Sequence, residues 1–360
     1  MMNQQNNRLY LDIHILQTVP PSCVNRDDTG SPKTAIYGGV TRARVSSQAW
    51  KKAVRKVFCE ELFAPEALGM RTKRIVALVA DAMRARPDCP KDPEAAVVTI
   101  LKTAGMKEGS LGAGTSAPLF FMSAAQAEAL ADLATQNPKA DKKAVQAALL
   151  SAPSVDLALF GRMVADDANL NVDAACQVAH AISTHAVQTE YDYFTAVDDF
   201  PDAARTDVGA AMIGTIEFNA ATLYRYATIA LHDLAGHLGG DATAAACAFV
   251  DAFARSMPEG KQNTFANRTP PNAMLVMLRT DQPVNLVGAF EAPVRMGEEG
   301  YVAQSAQKLC LQEKRARAWV NAPKLTLALD ESVAAVEDAE AMPSLKALLN
   351  RLSGAIAEAL

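Results

Sequence analysis

Apolar and polar residues alternate along residues 9–16, with Leu9, Leu11, Ile13 and Ile15 on one side and Tyr10, Asp12, His14 and Leu16 on the other. A period of two predicts a half-buried β-strand. A loop rich in turn formers follows from Pro20 to Gly39, and a second short strand is expected at Thr41–Val45. Ser46 or Ser47 can then cap a helix running to about Phe63. Trp50, Ala53, Val54, Val57, Phe58 and Leu62 recur at helical spacing as its buried stripe. Gln48, Lys51, Lys52 and Arg55 fall on its other side. From Ala64 to about Val178 the chain is Ala-rich and reads as helical, with breaks at Arg86–Pro93, Gly105–Gly114 and Asn137–Pro138. Val178–Val187 predicts further helix. The chain then turns aromatic at Tyr191, Tyr193 and Phe194, and afterwards polar. Leu223–Leu231 and Ala273–Arg279 predict strands, Asp241 or Thr243 starts a helix through Ala254, and Ser344 caps a carboxy-terminal amphipathic helix.

Residues 64–178 therefore look like a helical insertion into a sheet domain. Without it the order is strand–helix–strand–helix–strand, which suits an α+β sandwich of the RRM-like (ferredoxin-like) kind.

Composition changes this picture in one place. The chain is half apolar, enough for one or two domains with real cores, and carries a net charge of −5. Between Asp28 and Glu60 there is no acidic residue, while Lys33, Arg42, Arg44, Lys51, Lys52, Arg55 and Lys56 contribute seven positive charges; the remainder stands at −12. Two readings apply to this segment. It is a solvated helix face, or it is a polyanion site. Guanidinium, ammonium and hydroxyl groups beside a helix start are the donors that phosphate oxygens require.

The same segment carries a family resemblance. The run SCVNRDDTGSPKTAIYGGVTRARVSSQAWKKAVRK resembles the amino-terminal signature of the CasC family, the repeated backbone subunit of type I-E CRISPR Cascade. FGRMVADD, AHAISTHAVQTEYDYFTAVDDF and GTIEFNAATLYRYATIAL are similar to further blocks of that family and lie in its order. The resemblance implies an RRM-like palm (residues 1–63 and 179–360), a helical finger (64–178) and a thumb hairpin (about 188–222). It places Arg26, Lys33, Ser46, Gln48, Lys51 and Arg55 on the guide RNA backbone and Met163 against a base. Tyr193, Phe194 and Val197 fall on the thumb, which displaces one base at intervals; Tyr193 stands where a tryptophan is expected. For Tyr193 and Phe194 the competing reading is core packing. Lys139, Lys142 and Lys143 correspond to a basic finger patch for target DNA. The implied partners are guide RNA, target DNA and further copies of the chain head to tail. They also include the large, small, RNA-processing and guide-end capping subunits of Cascade, and an effector nuclease recruited through the complex.

The remaining features point away from an enzyme. No G-x-S-x-G or G-x-x-x-x-G-K-[ST] run is present, and no cofactor is expected. Asp27 and Asp28 raise the alternative of a metal-dependent endoribonuclease; pairing with Arg26 or capping of the loop is the competing account. Cys176 and His180 could share a helix face, but no third or fourth zinc ligand lies nearby. The six scattered cysteines, Cys23, Cys59, Cys89, Cys176, Cys247 and Cys310, read as reduced thiols. With no secretory signal and no apolar run of about 20 residues, a cytoplasmic protein without a membrane partner is expected.

Overall fold

The computed structural model describes residues 8–112, 118–196 and 212–360. The alternating amino-terminal segment is strand β1 (Tyr10–Ser22), inside a ten-stranded sheet. Strands β2 (Thr34–Tyr37) and β3 (Val40–Val45) form a hairpin, so part of the expected loop is strand. Helix α1 (Ser47–Val57) follows. Ser46 is its cap, with Oγ accepting from the Ala49 amide at 3.3 Å. A π-helical turn over Phe58–Leu62 extends the helix.

Next come β4 (Gly69–Thr72), α2 (Ile75–Arg84), α3 (Pro93–Thr103), α4 (Glu108–Leu111), β5 (Phe120–Ser123), α5 (Ala124–Gln136), α6 (Lys142–Leu150) and α7 (Val155–Phe160). Helices dominate, as their alanine and leucine content favours, but β4 and β5 pair as a small antiparallel sheet that periodicity did not reveal. Most of this segment, from Ile75 to Leu170, packs around a hydrophobic core of its own.

The chain returns through β6 (Cys176–Val178), β7 (Ala181–Ser183), β8 (Glu190–Ala196) and β9 (Met212–Ala230). The helix expected at Val178–Val187 is absent, because β6 and β7 both pair with β9. That partner is more than forty positions away in sequence, and backbone pairing with it overrides local propensity. Then follow α8 (Leu231–Leu238), α9 (Ala242–Arg255), α10 (Gln262–Phe265), β10 (Ala273–Arg279), α11 (Val302–Ala316), β11 (Leu325–Leu329), β12 (Ala339–Met342) and α12 (Leu345–Ala359). Ser344 caps α12 through the Ala347 amide at 3.2 Å. The sheet runs β12–β11–β10–β1–β9–β7–β3–β2 and is mostly antiparallel, with β11 and β12 parallel. The class is mixed α+β.

β1 is not half-buried. Leu11, Ile13 and Ile15 face a core shared with Trp50 of α1, Phe249 and Phe253 of α9 and Leu352 of α12. On the other side Leu16 joins Tyr224, Tyr226 and Leu309 in a second core beneath α11. The polar half of the alternation is thus enclosed, and buried polar groups require partners. Asp12 accepts from Tyr226 Oη and from the Val284 amide, both at 2.8 Å, and lies 3.2 Å from Arg279. His14 Nδ1 is 2.9 Å from Tyr224 Oη. Burial pushes the Asp12 carboxyl up to about 6 and the His14 imidazole down to about 3.

Candidate nucleic-acid interface

The amino end of α1, the loop after β1 and the turn after α9 enclose an open groove of about 870 Å³. Arg26, Ser46 and Gln48 line it, as do Lys52 and Lys56, one and two turns along α1. The α1 register explains the grouping. Trp50, Ala53 and Val54 are held in the core, so Gln48, Lys52 and Lys56 rotate outward together. Lys52, expected beside Gln48 on the polar side of the helix, and Lys56, expected only as part of the basic segment, are both groove residues. The repeated spacing of four, from Gln48 to Lys52 and from Lys52 to Lys56, is the signal that groups them. Glu259, also on the groove wall, pairs with Lys56. That hydrogen bond raises the Lys56 pKa and lowers that of Glu259. Nothing in the sequence links these two residues, 203 positions apart.

The loop is ordered by its own acid. Asp27 Oδ1 accepts from Thr29 N at 2.9 Å, Thr29 Oγ1 at 2.7 Å and Ser31 N at 3.0 Å. The Thr29 hydroxyl bond leads the causes that hold its carboxyl below the ordinary range. Asp28 is exposed beside it. Among the described residues no group of three His, Cys, Asp or Glu side chains is placed to hold a metal ion. Cys176 lies buried on β6, so the helix face it was to share with His180 does not exist.

The basic segment divides by burial. Arg42 is fully enclosed and donates to the carbonyls of Tyr37, Ser183, Phe290 and Glu291, so its charge serves the fold. Arg44 donates to Thr34 O and to His180 Nδ1, both at 3.1 Å. Burial, with Arg44 and Lys33 nearby, lowers the His180 pKa. Lys33 is half-buried beside this pair. Lys51 sits with Nζ 5.7 Å from the Phe160 ring centre. Arg55 is anchored elsewhere. Its Nε donates to the buried Asp156 at 2.9 Å and its Nη2 to Gly69 O at 3.0 Å.

The FGRM block folds as a presentation device. Gly161 turns at φ +70, where an added Cβ would meet Val172 O at 2.7 Å. Arg162 is then driven inward and donates to the carbonyls of Leu170, Phe121 and Leu149 and to Gln126 Oε1. Burial lowers its pKa to about 10. Met163, the next residue, is 86% exposed.

β8 and β9 form a hairpin in which Phe194 faces Gly214. The Phe194 ring covers that glycine so closely that an added Cβ would meet it at 2.3 Å. Tyr191, Tyr193 and Ile213 are exposed along the hairpin. Tyr193 is therefore outside the core, whereas Phe194 packs within its hairpin. Val197 lies outside the described residues. Lys139 and Lys143 are exposed; Lys142, also exposed, pairs with Asp167 at 2.7 Å.

Residues 11–351 match the family described as CT1975-like protein. The chain belongs to that family. This CT1975-like protein is similar to a chain of a solved CRISPR RNA-guided surveillance complex described as pre-nicking. The identity is 31% and the TM-score 0.80, covering 96% of this chain and 100% of the other. It is also similar to a chain of a second CRISPR RNA-guided surveillance complex, at 28% identity and TM-score 0.63, covering 96% and 99%. None of the curated proteins compared matches it significantly. Among the described residues of this CT1975-like protein, no helix is long and apolar enough to cross a membrane.

Proposed function

We propose that this CT1975-like protein is the repeated backbone subunit of a type I-E Cascade complex and grips guide RNA by its backbone. The groove carries the reading: Arg26, Gln48 and Lys52 converge with the capped amino end of α1 on one open surface. Donors of this kind hold phosphates and leave base edges unread. A guide of any sequence then fits, and base pairing reads the target. Similarity to chains of two RNA-guided surveillance complexes supports the same assignment.

In this reading the large sheet, with α1 and α9, is an RRM-like palm, residues 64–178 are the finger and the β8–β9 hairpin is the thumb. Lys33, Ser46 and Lys51 extend the backbone contacts, and Arg55 adds its charge from a side chain anchored on Asp156. Met163 meets a base from its exposed position, and Tyr193, Phe194 and Val197 part the stack. Lys139, Lys142 and Lys143 take the target strand. Copies join head to tail along the guide between capping subunits, and a separate nuclease cuts. No catalytic step is assigned to Asp27 or Asp28. The hydrogen bonds from Thr29 and Ser31 onto Asp27 support a loop-ordering role over hydrolysis.

Two measurements test this. Lys52→Glu is expected to weaken binding of unrelated RNA sequences equally and to reduce the salt slope by about 0.7, one single-strand phosphate contact. Native mass of complexes on guides of increasing length is expected to rise by one copy per fixed nucleotide increment. A closed dimer or ring of constant size would overturn the filament.

A further inference from the structure

Helix α11 packs on the side of the sheet opposite to α1. It buries Ser305, Ala306, Leu309 and Glu313. Leu309 joins the core reached by Leu16 of β1, whereas Trp50 of α1 joins the core reached by Leu11, Ile13 and Ile15. The outward side of α11 is built differently from an ordinary solvated helix. Leu311, Lys314, Arg315 and Trp319 are all exposed there, and Trp319 is 89% exposed. Backbone bonds from Arg317 N to Glu313 O, Trp319 N to Ala316 O and Val320 N to Ala316 O continue the helical path past Ala316. Leu311 and Arg315, four residues apart, share one side of α11, and Trp319 stands in the turn that continues from its end.

The charges on this side are unbalanced. Glu313, the single acidic residue of α11, is turned inward onto Arg317 at 2.8 Å. Arg317 also faces Glu337 and Asp338, at 3.4 Å and 3.6 Å. Lys308 donates to Ala292 O. Among the described residues, no ion pair involves Lys314 or Arg315. An exposed indole within five residues of an exposed ammonium and guanidinium is a combination that suits single strands, with phosphates on the cations and a base on the ring.

We propose that the outward face of α11 binds a segment of single-stranded nucleic acid, with phosphates at Lys314 and Arg315 and a base stacked on Trp319. The segment is distinct from the strand in the groove, since the sheet lies between the two surfaces. The site requires no particular sequence.

The chain supplies its own reporter, because its other tryptophan, Trp50, is fully buried. Trp319, 89% exposed, is expected to emit as a solvated indole, to the red of Trp50. Titration of the full-length protein with oligodeoxythymidylate is expected to quench the red component and leave the blue one. The quenching is expected to persist in the groove variant Arg26→Glu with Lys52→Glu. Lys314→Gln with Arg315→Gln should weaken it and lower the salt slope by about 1.4, two single-strand contacts. In the groove-variant background, Trp319→Ala should weaken binding of a labelled oligonucleotide by about 5- to 150-fold, the worth of one stacked base. Absence of quenching overturns the proposal. So does quenching that is lost in the groove variant but kept in the α11 variant. An equal spectral change with poly-glutamate would also overturn it, and would mark the face as a dock for an acidic protein.

Discussion

Arg55 offers a test that separates folding from binding. Its partner Asp156 is 1% exposed, while the Arg55 side chain is 26% exposed. Asp156 Oδ2 accepts from Arg55, and its Oδ1 accepts from the Gly69 amide and from Ser154 Oγ, both at 2.8 Å. The guanidinium also lies 4.9 Å from the Phe121 ring centre. One ion pair thus joins α1 to the start of β4 and to α7. Removing one partner of a buried pair costs about 3–5 kcal/mol, because the other charge is stranded. Here Arg55 keeps some solvent and Asp156 keeps two neutral donors. We therefore expect about 2–3 kcal/mol for Arg55→Ala after that discount. Urea unfolding of Arg55→Ala, Asp156→Ala and the double variant forms a thermodynamic cycle, with an expected coupling of about 1.5–3 kcal/mol. Because Asp156 already offsets the charge, the salt slope for RNA is expected to fall by less than the 0.7 or so of a full single-strand contact. A coupling near zero together with a full loss of slope would refute the reasoning and make Arg55 a phosphate ligand first.

His14 sets a pH dependence. Its folded pKa, about 3, lies below the ordinary 6.5, so its contribution is present above 6.5 and is lost as pH falls toward 3. Asp12, raised to about 6, acts in the opposite sense, adding stability as pH falls from 6 to 4. Stability profiles of His14→Gln and the unaltered protein should therefore differ in slope by about 1.4 kcal/mol per pH unit between pH 6 and 4; parallel profiles would refute the assignment. In the hairpin, Gly214→Ala should lower amide exchange protection at Ile213–Thr215, because its methyl meets the Phe194 ring, and adding Phe194→Ala should restore it. Protection unaffected by Gly214→Ala would show that the ring does not hold the strand.

The elements legible in the sequence are those whose signals are local. Ser46 and the Trp50–Val57 stripe announce α1 because a cap and a period of 3.6 lie within a dozen residues. Ser344 and α12 follow the same rule. The blocks around Arg26, Met163 and Tyr193 carry the resemblance to a Cascade subunit in the sequence alone, since residue identity in order needs no structure to be read. The tertiary structure decided what each charge and each short run is for. β6 and β7 lie in a stretch that reads as helix, and only pairing with β9 makes them strands. Arg42, Arg55 and Arg162 look like surface cations in the sequence, yet carbonyls and a carboxylate brought from distant positions take their donors. Asp12 and His14 look like the wet side of a strand until Tyr224, Tyr226, Arg279 and Val284, more than two hundred positions later, enclose them. A residue's partners are set by contacts across the whole chain, and no local period encodes those contacts.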